Sequence, residues 1–118
     1  MKDQRFAQDY LRDILEAMDK AEEFTNGLDL PMFYEDDKTS FAVIRCEIIG
    51  EDARKISVEH RRRFADVPWK SLAGMRDKLI HDYAGVSLEI VWRTVKEDIP
   101  TVRPKLKVVL EKLQEEEG

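Results

Sequence analysis

The sequence predicts an all-α fold: one domain over residues 1–118, an antiparallel four-helix bundle with an additional shorter helix. Three observations carry that expectation. A hydrophobic fraction of 42% beside a charged fraction of 38% is the mix expected of amphipathic helices with one wet face each. Five glycines and four prolines in 118 residues suit helices better than a sandwich or a disordered chain. Apolar residues also recur every three or four positions through most of the chain.

The first helix is expected from Asp3 to Thr25, with Phe6, Tyr10, Ile14, Ala17, Ala21 and Phe24 as one stripe and Asn26-Gly27 as its stop. Leu28 to Tyr34 contains Pro31 and reads as a loop with a short turn, after which Asp36 and Asp37 are candidate caps. The second helix is expected from Lys38 to Arg63, with Val43, Ile44, Ile48, Ile49 and Ile56 inward. Gly50 inside it costs about 1 kcal/mol relative to alanine, which points to close packing against another backbone.

Pro68 fits the first position of a third helix, anchored by Trp69, Leu72, Leu79 and Ile80 and running to Tyr83. Ala84-Gly85-Val86 reads as a turn. Ser87 then caps a fourth helix to Asp98, with Leu88, Val91, Trp92 and Val95 inward, and Ile99-Pro100 ends it. Thr101 caps the last helix, with Pro104 in its first turn and a stripe of Val102, Leu106, Val109, Leu110 and Leu113 before an acidic tail.

Composition narrows the function. No apolar run is long enough to cross a bilayer and no signal peptide is visible, so a cytoplasmic protein is expected. The single cysteine, Cys46, excludes an intramolecular disulfide and reads as a small core residue. Two histidines outside any H-E-x-x-H pattern make a zinc site unexpected, and no cofactor is implied. A net charge of −5 argues against a protein that binds nucleic acid through a generally basic surface. Positive charge nevertheless gathers at Arg54, Lys55, His60, Arg61, Arg62 and Arg63, which fits either an RNA contact or a solvated helix end.

The stretch Met75-Arg76-Asp77-Lys78-Leu79-Ile80-His81-Asp82-Tyr83 brings together a fixed cation, an imidazole and a phenol. Imidazole takes and gives protons near neutral pH, and a guanidinium grips two phosphate oxygens with its planar fork. Taken alone, the three residues also fit an ordinary amphipathic helix with Tyr83 half-buried near its end. A separation of five places Arg76 and His81 about 140° apart on a regular helix. Either the helix is distorted, with Gly74 and Gly85 as weak points, or a symmetry-related subunit completes the site.

Arg76-x4-His81-x-Tyr83 resembles the R-x4-H-x-Y signature of the HEPN superfamily, in its HepT-like branch. Glu47-Ile48-Ile49-Gly50-Glu51, Pro68-Trp69 and Gly85-Val86-Ser87-Leu88-Glu89-Ile90-Val91-Trp92 are similar to segments of the same family. The resemblance spans about Asp3 to Leu113 and implies a HEPN-like homodimer with the motif at a shared cleft. It implies a metal-independent endoribonuclease, the toxin of a type VII-like toxin-antitoxin pair, neutralised by an MNT-type nucleotidyltransferase antitoxin that AMPylates Tyr83.

RNA carries its own nucleophile in the 2′-hydroxyl, so His81 is expected as general acid/base and Arg76 as phosphate clamp. Tyr83 and Glu51 are supporting candidates, Glu51 also being placed for an ion pair with Lys55. Asp77 stands where many relatives have asparagine, and its charge competes with phosphate for Arg76. The alternative is a non-catalytic HEPN module that binds a nucleotide or a partner protein.

Overall fold

The computed structural model describes the backbone of residues 2–35, 39–81 and 92–117 and the side chains of residues 6–33, 47–75 and 92–116. Within these residues the fold is all helical, with no strand. Four long helices form the bundle: α1 (Lys2–Thr25), α3 (Thr39–Lys55), α5 (Trp69–His81) and α6 (Ile99–Glu117). Two short ones, α2 (Leu30–Glu35) and α4 (Val58–Arg63), sit in the connections.

Helix α1 forms because its apolar residues return at helical spacing, but the buried stripe is Ala7, Leu11, Ile14, Ala17, Met18 and Ala21. Phe6 is exposed and Tyr10 only partly buried, so the expected stripe is turned by about one residue. Leu11 and Met18 decide the turn: flexible aliphatic chains fill the centre, while the tyrosine keeps its hydroxyl near water. The stop falls where expected. Gly27 adopts φ +78, a left-handed conformation that costs glycine little. The Thr25 carbonyl accepts the Leu28 N–H at 3.2 Å and also the Lys96 ammonium at 3.0 Å, a cation set at the negative end of the helix.

The segment expected as a loop after Gly27 is the short helix α2. Asp29 caps it, its carboxylate accepting from the Met32 N–H at 2.9 Å, and Pro31 falls in the first turn, where a missing N–H is harmless. Phe33 is buried and stacks at a tilt on Trp92, 5.2 Å between ring centroids.

The single helix expected from Lys38 to Arg63 is two. α3 stops at Lys55, and Ser57 caps α4 by accepting from the His60 N–H at 3.2 Å. Arg61 holds the break: its Nε donates to the Ile56 carbonyl at 2.9 Å and its Nη2 to the Arg54 carbonyl at 3.1 Å. A guanidinium is suited to closing a helix C-terminus, where carbonyls point outward and the dipole is negative. Gly50 is buried within α3.

The start of α5 is pinned by Trp69, whose indole N–H donates to the Phe64 carbonyl at 3.0 Å. Pro68 stands one residue before the helix, and its carbonyl accepts the first helical bond, from Leu72. Leu72 and Met75 then enter the core.

Ile99-Pro100 does not end a helix. From Trp92 the chain is helical through a π-turn at Thr94–Asp98 and on into α6. Proline lacks an N–H and crowds the carbonyl four residues back, and the wider turn accommodates both, with the Ile99 N–H reaching the Thr94 carbonyl five residues away. Thr101 is therefore inside the helix and not its cap, its hydroxyl donating back to the Glu97 carbonyl at 2.9 Å. Pro104 is likewise interior. The expected stripe holds: Val102, Leu106, Val109 and Leu113 are buried and Leu110 packs beside them.

Helices α1 and α6 run antiparallel. Gln8 near the start of α1 donates to the carbonyl of Leu113 near the end of α6, while Asp19 and Glu22 stand 2.8 and 2.9 Å from Arg103 near its beginning. These two carboxylates are at ion-pair distance without hydrogen-bond alignment. α1 packs on α3 and α3 on α5, giving one continuous core. Asp36, Asp37, Ser87 and Gly85 and the side chains of Val43, Ile44, Cys46, Leu79 and Ile80 lie outside what is described.

Candidate active site

Arg76, Asp77 and His81 all lie on α5, which is α-helical from Trp69 to His81. Their side chains are outside the described set, as is all of Tyr83. Gly74 is not a weak point, because the helix passes through it without interruption. On that backbone, position 76 is one turn beyond buried Leu72 and two beyond buried Trp69. Position 81 is two turns beyond Gly74 and falls on the other side of the helix. The two motif positions therefore do not share a face of α5.

Arg61 of α4 closes the end of α3, and the Phe64 carbonyl just after α4 receives the Trp69 indole at the start of α5. Counted from there, Arg76 lies about 10 Å along α5. Helix α3, which carries Glu47 and Glu51, packs directly against α5. Glu47 is partly buried and Glu51 exposed. Lys55, the expected partner of Glu51, lies 4.0 Å from Asp52 and 5.5 Å from the centre of the Tyr10 ring.

The arginine run is divided between two roles. Arg61 closes α3, and Arg63 grips both carboxylate oxygens of Glu116. Arg62 is exposed and His60 partly so, the His60 Nδ1 lying 2.9 Å from the Ser57 hydroxyl. The run sits at the α4 end, and His81 is about 18 Å further along α5, so within one protomer these cations are not part of the motif's immediate surroundings.

Two features were missed from sequence. Asp52 is buried, and burial raises its carboxyl above the ordinary 3.8, with Asp13 and Glu51 raising it further and Lys55 opposing. The signal was present: Asp52 follows Ile49 by three and precedes Ile56 by four, an acid set in the apolar register. The second is a cavity of about 330 Å³ between α5 and the π-turn that enters α6. It was illegible because Pro100 reads locally as a terminator. Among the described residues no three histidines, cysteines or acids group as metal ligands, and no helix is long and apolar enough to cross a membrane.

Comparison with known proteins gives a consistent result. A family model described as "Ribonuclease HepT-like" matches residues 14–109. A Thermococcus cleftensis protein named "Probable ribonuclease HepT" is 49% identical over 102 residues, covering 86% of this chain and 93% of its own. A Methanocaldococcus jannaschii protein provisionally named as an RNase is 42% identical over 107 residues, covering 90% and 92%. A similarly named protein of Caldanaerobacter subterraneus subsp. tengcongensis is 39% identical over 104 residues, covering 87% and 93%. No solved structure matches the chain significantly.

Proposed function

Since the chain belongs to the HepT-like ribonuclease family, we propose that it is a metal-independent endoribonuclease in which Arg76 and His81 act on one phosphodiester of RNA. The observation that carries this reading is the Arg76-x4-His81-x-Tyr83 motif, with Arg76 and His81 on α5 and α5 packed against α3, the helix of Glu47 and Glu51, in a chain of that family.

In the reaction, neutral His81 accepts the proton of the 2′-hydroxyl. The 2′-oxygen bonds to phosphorus, the bond from phosphorus to the 5′-oxygen breaks, and the imidazolium returns its proton to that leaving oxygen. One product ends in a 2′,3′-cyclic phosphate and the other in a 5′-hydroxyl. Arg76 stabilises the charge that builds on the phosphate oxygens. Tyr83 contacts the substrate, Glu51 orients a motif side chain, and Asp77 tempers the clamp by competing for Arg76. Because positions 76 and 81 face different sides of an unbroken helix, the site is completed at the groove of a homodimer, with Arg76 of one protomer near His81 of its partner.

The biological setting we infer is a cytoplasmic toxin paired with an MNT-type nucleotidyltransferase antitoxin. AMPylation of Tyr83 places a negatively charged, bulky group beside Arg76, filling the clamp and repelling RNA.

The test is cleavage of RNA by the purified protein without divalent metal, together with a substrate whose scissile 2′-hydroxyl is replaced by hydrogen. Cutting of the first and not the second is expected. His81→Ala should lower the rate by about 10²–10⁴-fold while leaving the fold intact. Cutting of the 2′-deoxy substrate would overturn the mechanism. Toxicity unchanged by His81→Ala would return the chain to a non-catalytic binding role. For regulation, co-expression with the nucleotidyltransferase should add AMP to Tyr83, and neutralisation with Tyr83 unmodified would defeat that part.

A further inference from the structure

The cavity of about 330 Å³ beside the motif helix is walled by Pro68, Leu72 and Met75 on the α5 side and by Val102 of α6, with Ser71 and Asp98 among its polar groups. Its size is at the lower end of small-ligand sites. Met75 immediately precedes Arg76, so a nucleotide whose base entered here would carry its phosphate within reach of position 76. Asp98 and Ser71 are both exposed, and among the described residues nothing pairs with either. Asp98 differs in this from Asp19 and Glu22, which Arg103 neutralises. Cations neighbour the lining residues in the chain: Lys105, whose Nζ is 3.2 Å from the Asp66 carbonyl, follows Thr101 by one turn, and exposed Lys70 precedes Ser71.

We infer that this cavity receives an unpaired guanine of the RNA substrate and that Asp98 selects it. The inference rests on the reading of the chain as an enzyme that cuts RNA. Apolar side chains from both helices beside hydroxyl and carboxylate groups suit a base taken out of its stack, which is the usual way single-stranded RNA is read in sequence. A carboxylate offers two acceptor oxygens and no donor. Guanine alone presents two adjacent donors, N1–H and the N2 amino group, on its Watson–Crick edge. Adenine and cytosine set one amino donor beside an acceptor nitrogen, and uracil sets its single N–H between two carbonyls, so each would bring an acceptor against the carboxylate. Ser71 supplies a hydroxyl that can donate to the base. The neighbouring lysines offset the repulsion between Asp98 and the RNA backbone.

The experiment measures binding of guanosine 5′-monophosphate and adenosine 5′-monophosphate to the purified full chain by calorimetry, beside sequencing of RNA cleavage sites, for wild type and Asp98→Asn. Wild type should bind the guanosine nucleotide about tenfold or more tighter than the adenosine nucleotide, and Asp98→Asn should erase most of that ratio. Cleavage should occur at guanine-adjacent positions, a bias the variant loses. Equal binding of the two nucleotides, or a preference that survives Asp98→Asn, overturns the inference. Indiscriminate RNA cleavage with equal nucleotide binding would remove the guanine site and leave the nuclease standing. Guanine preference dependent on Asp98 with no RNA cut would do the reverse.

Discussion

Arg61 closes the end of α3 by donating to the Ile56 carbonyl, 2.9 Å from its Nε, so a residue that reads as part of a nucleic-acid patch is a helix cap. Its neighbour Arg62 is exposed. Arg61→Ala should destabilise the protein by about 1.5–3 kcal/mol, the range for hydrogen bonds made by a charged group. Arg62→Ala should stay within about 0.5 kcal/mol. Urea titrations of the two variants check this, and equal effects would contradict the capping role.

Gly74 lies inside α5, and a Cβ added there meets nothing within 4 Å. Gly74→Ala should therefore stabilise by up to about 1 kcal/mol, since alanine restricts the unfolded chain and suits a helix better. A calorimetric melt reads the shift. Destabilisation instead would mean that another molecule closes over this face, and should then fade on dilution.

Asp52 carries a carboxyl raised above 3.8, chiefly by burial, so its ionised form is disfavoured in the folded chain. The folded state binds that proton more tightly than the unfolded state, and the resulting penalty grows as pH rises above 3.8 through the raised value. Asp52→Asn should therefore melt higher than wild type at neutral pH, with the gain shrinking towards zero below 3.8. Loss of the contact to the exposed Lys55 offsets only a little. Melting curves across pH test the sign, and a gain that grew in acid would refute it.

Lys96 ties the π-turn to α1 through the Thr25 carbonyl and lies 5.0 Å above the Trp92 ring. Lys96→Met keeps most of the stem and removes the charge, so a loss of about 1–2 kcal/mol is expected. Hydrogen exchange should show faster opening at the end of α1, and unchanged protection there would count against the tie.

Helical class and the inward stripe of α6 follow from local information, because apolar spacing at 3.6 residues per turn is written directly in the chain at Val102, Leu106, Val109 and Leu113. The motif is equally local: Arg76, His81 and Tyr83 are legible as a string, and the places of Arg76 and His81 on α5 follow from their spacing. Tertiary packing decided the rest. The break at Ile56 depends on a guanidinium five residues away, and the stripe of α1 turned towards Leu11 and Met18 because the neighbouring helices needed aliphatic volume there. Passage of the helix through Pro100 depends on a π-turn whose other contacts reach α1. Asp98 lines a cavity only because α5 lies across from it. Periodicity encodes which face of a helix turns inward, whereas caps, bulges and cavities are made by residues distant in sequence, whose meeting no local pattern records.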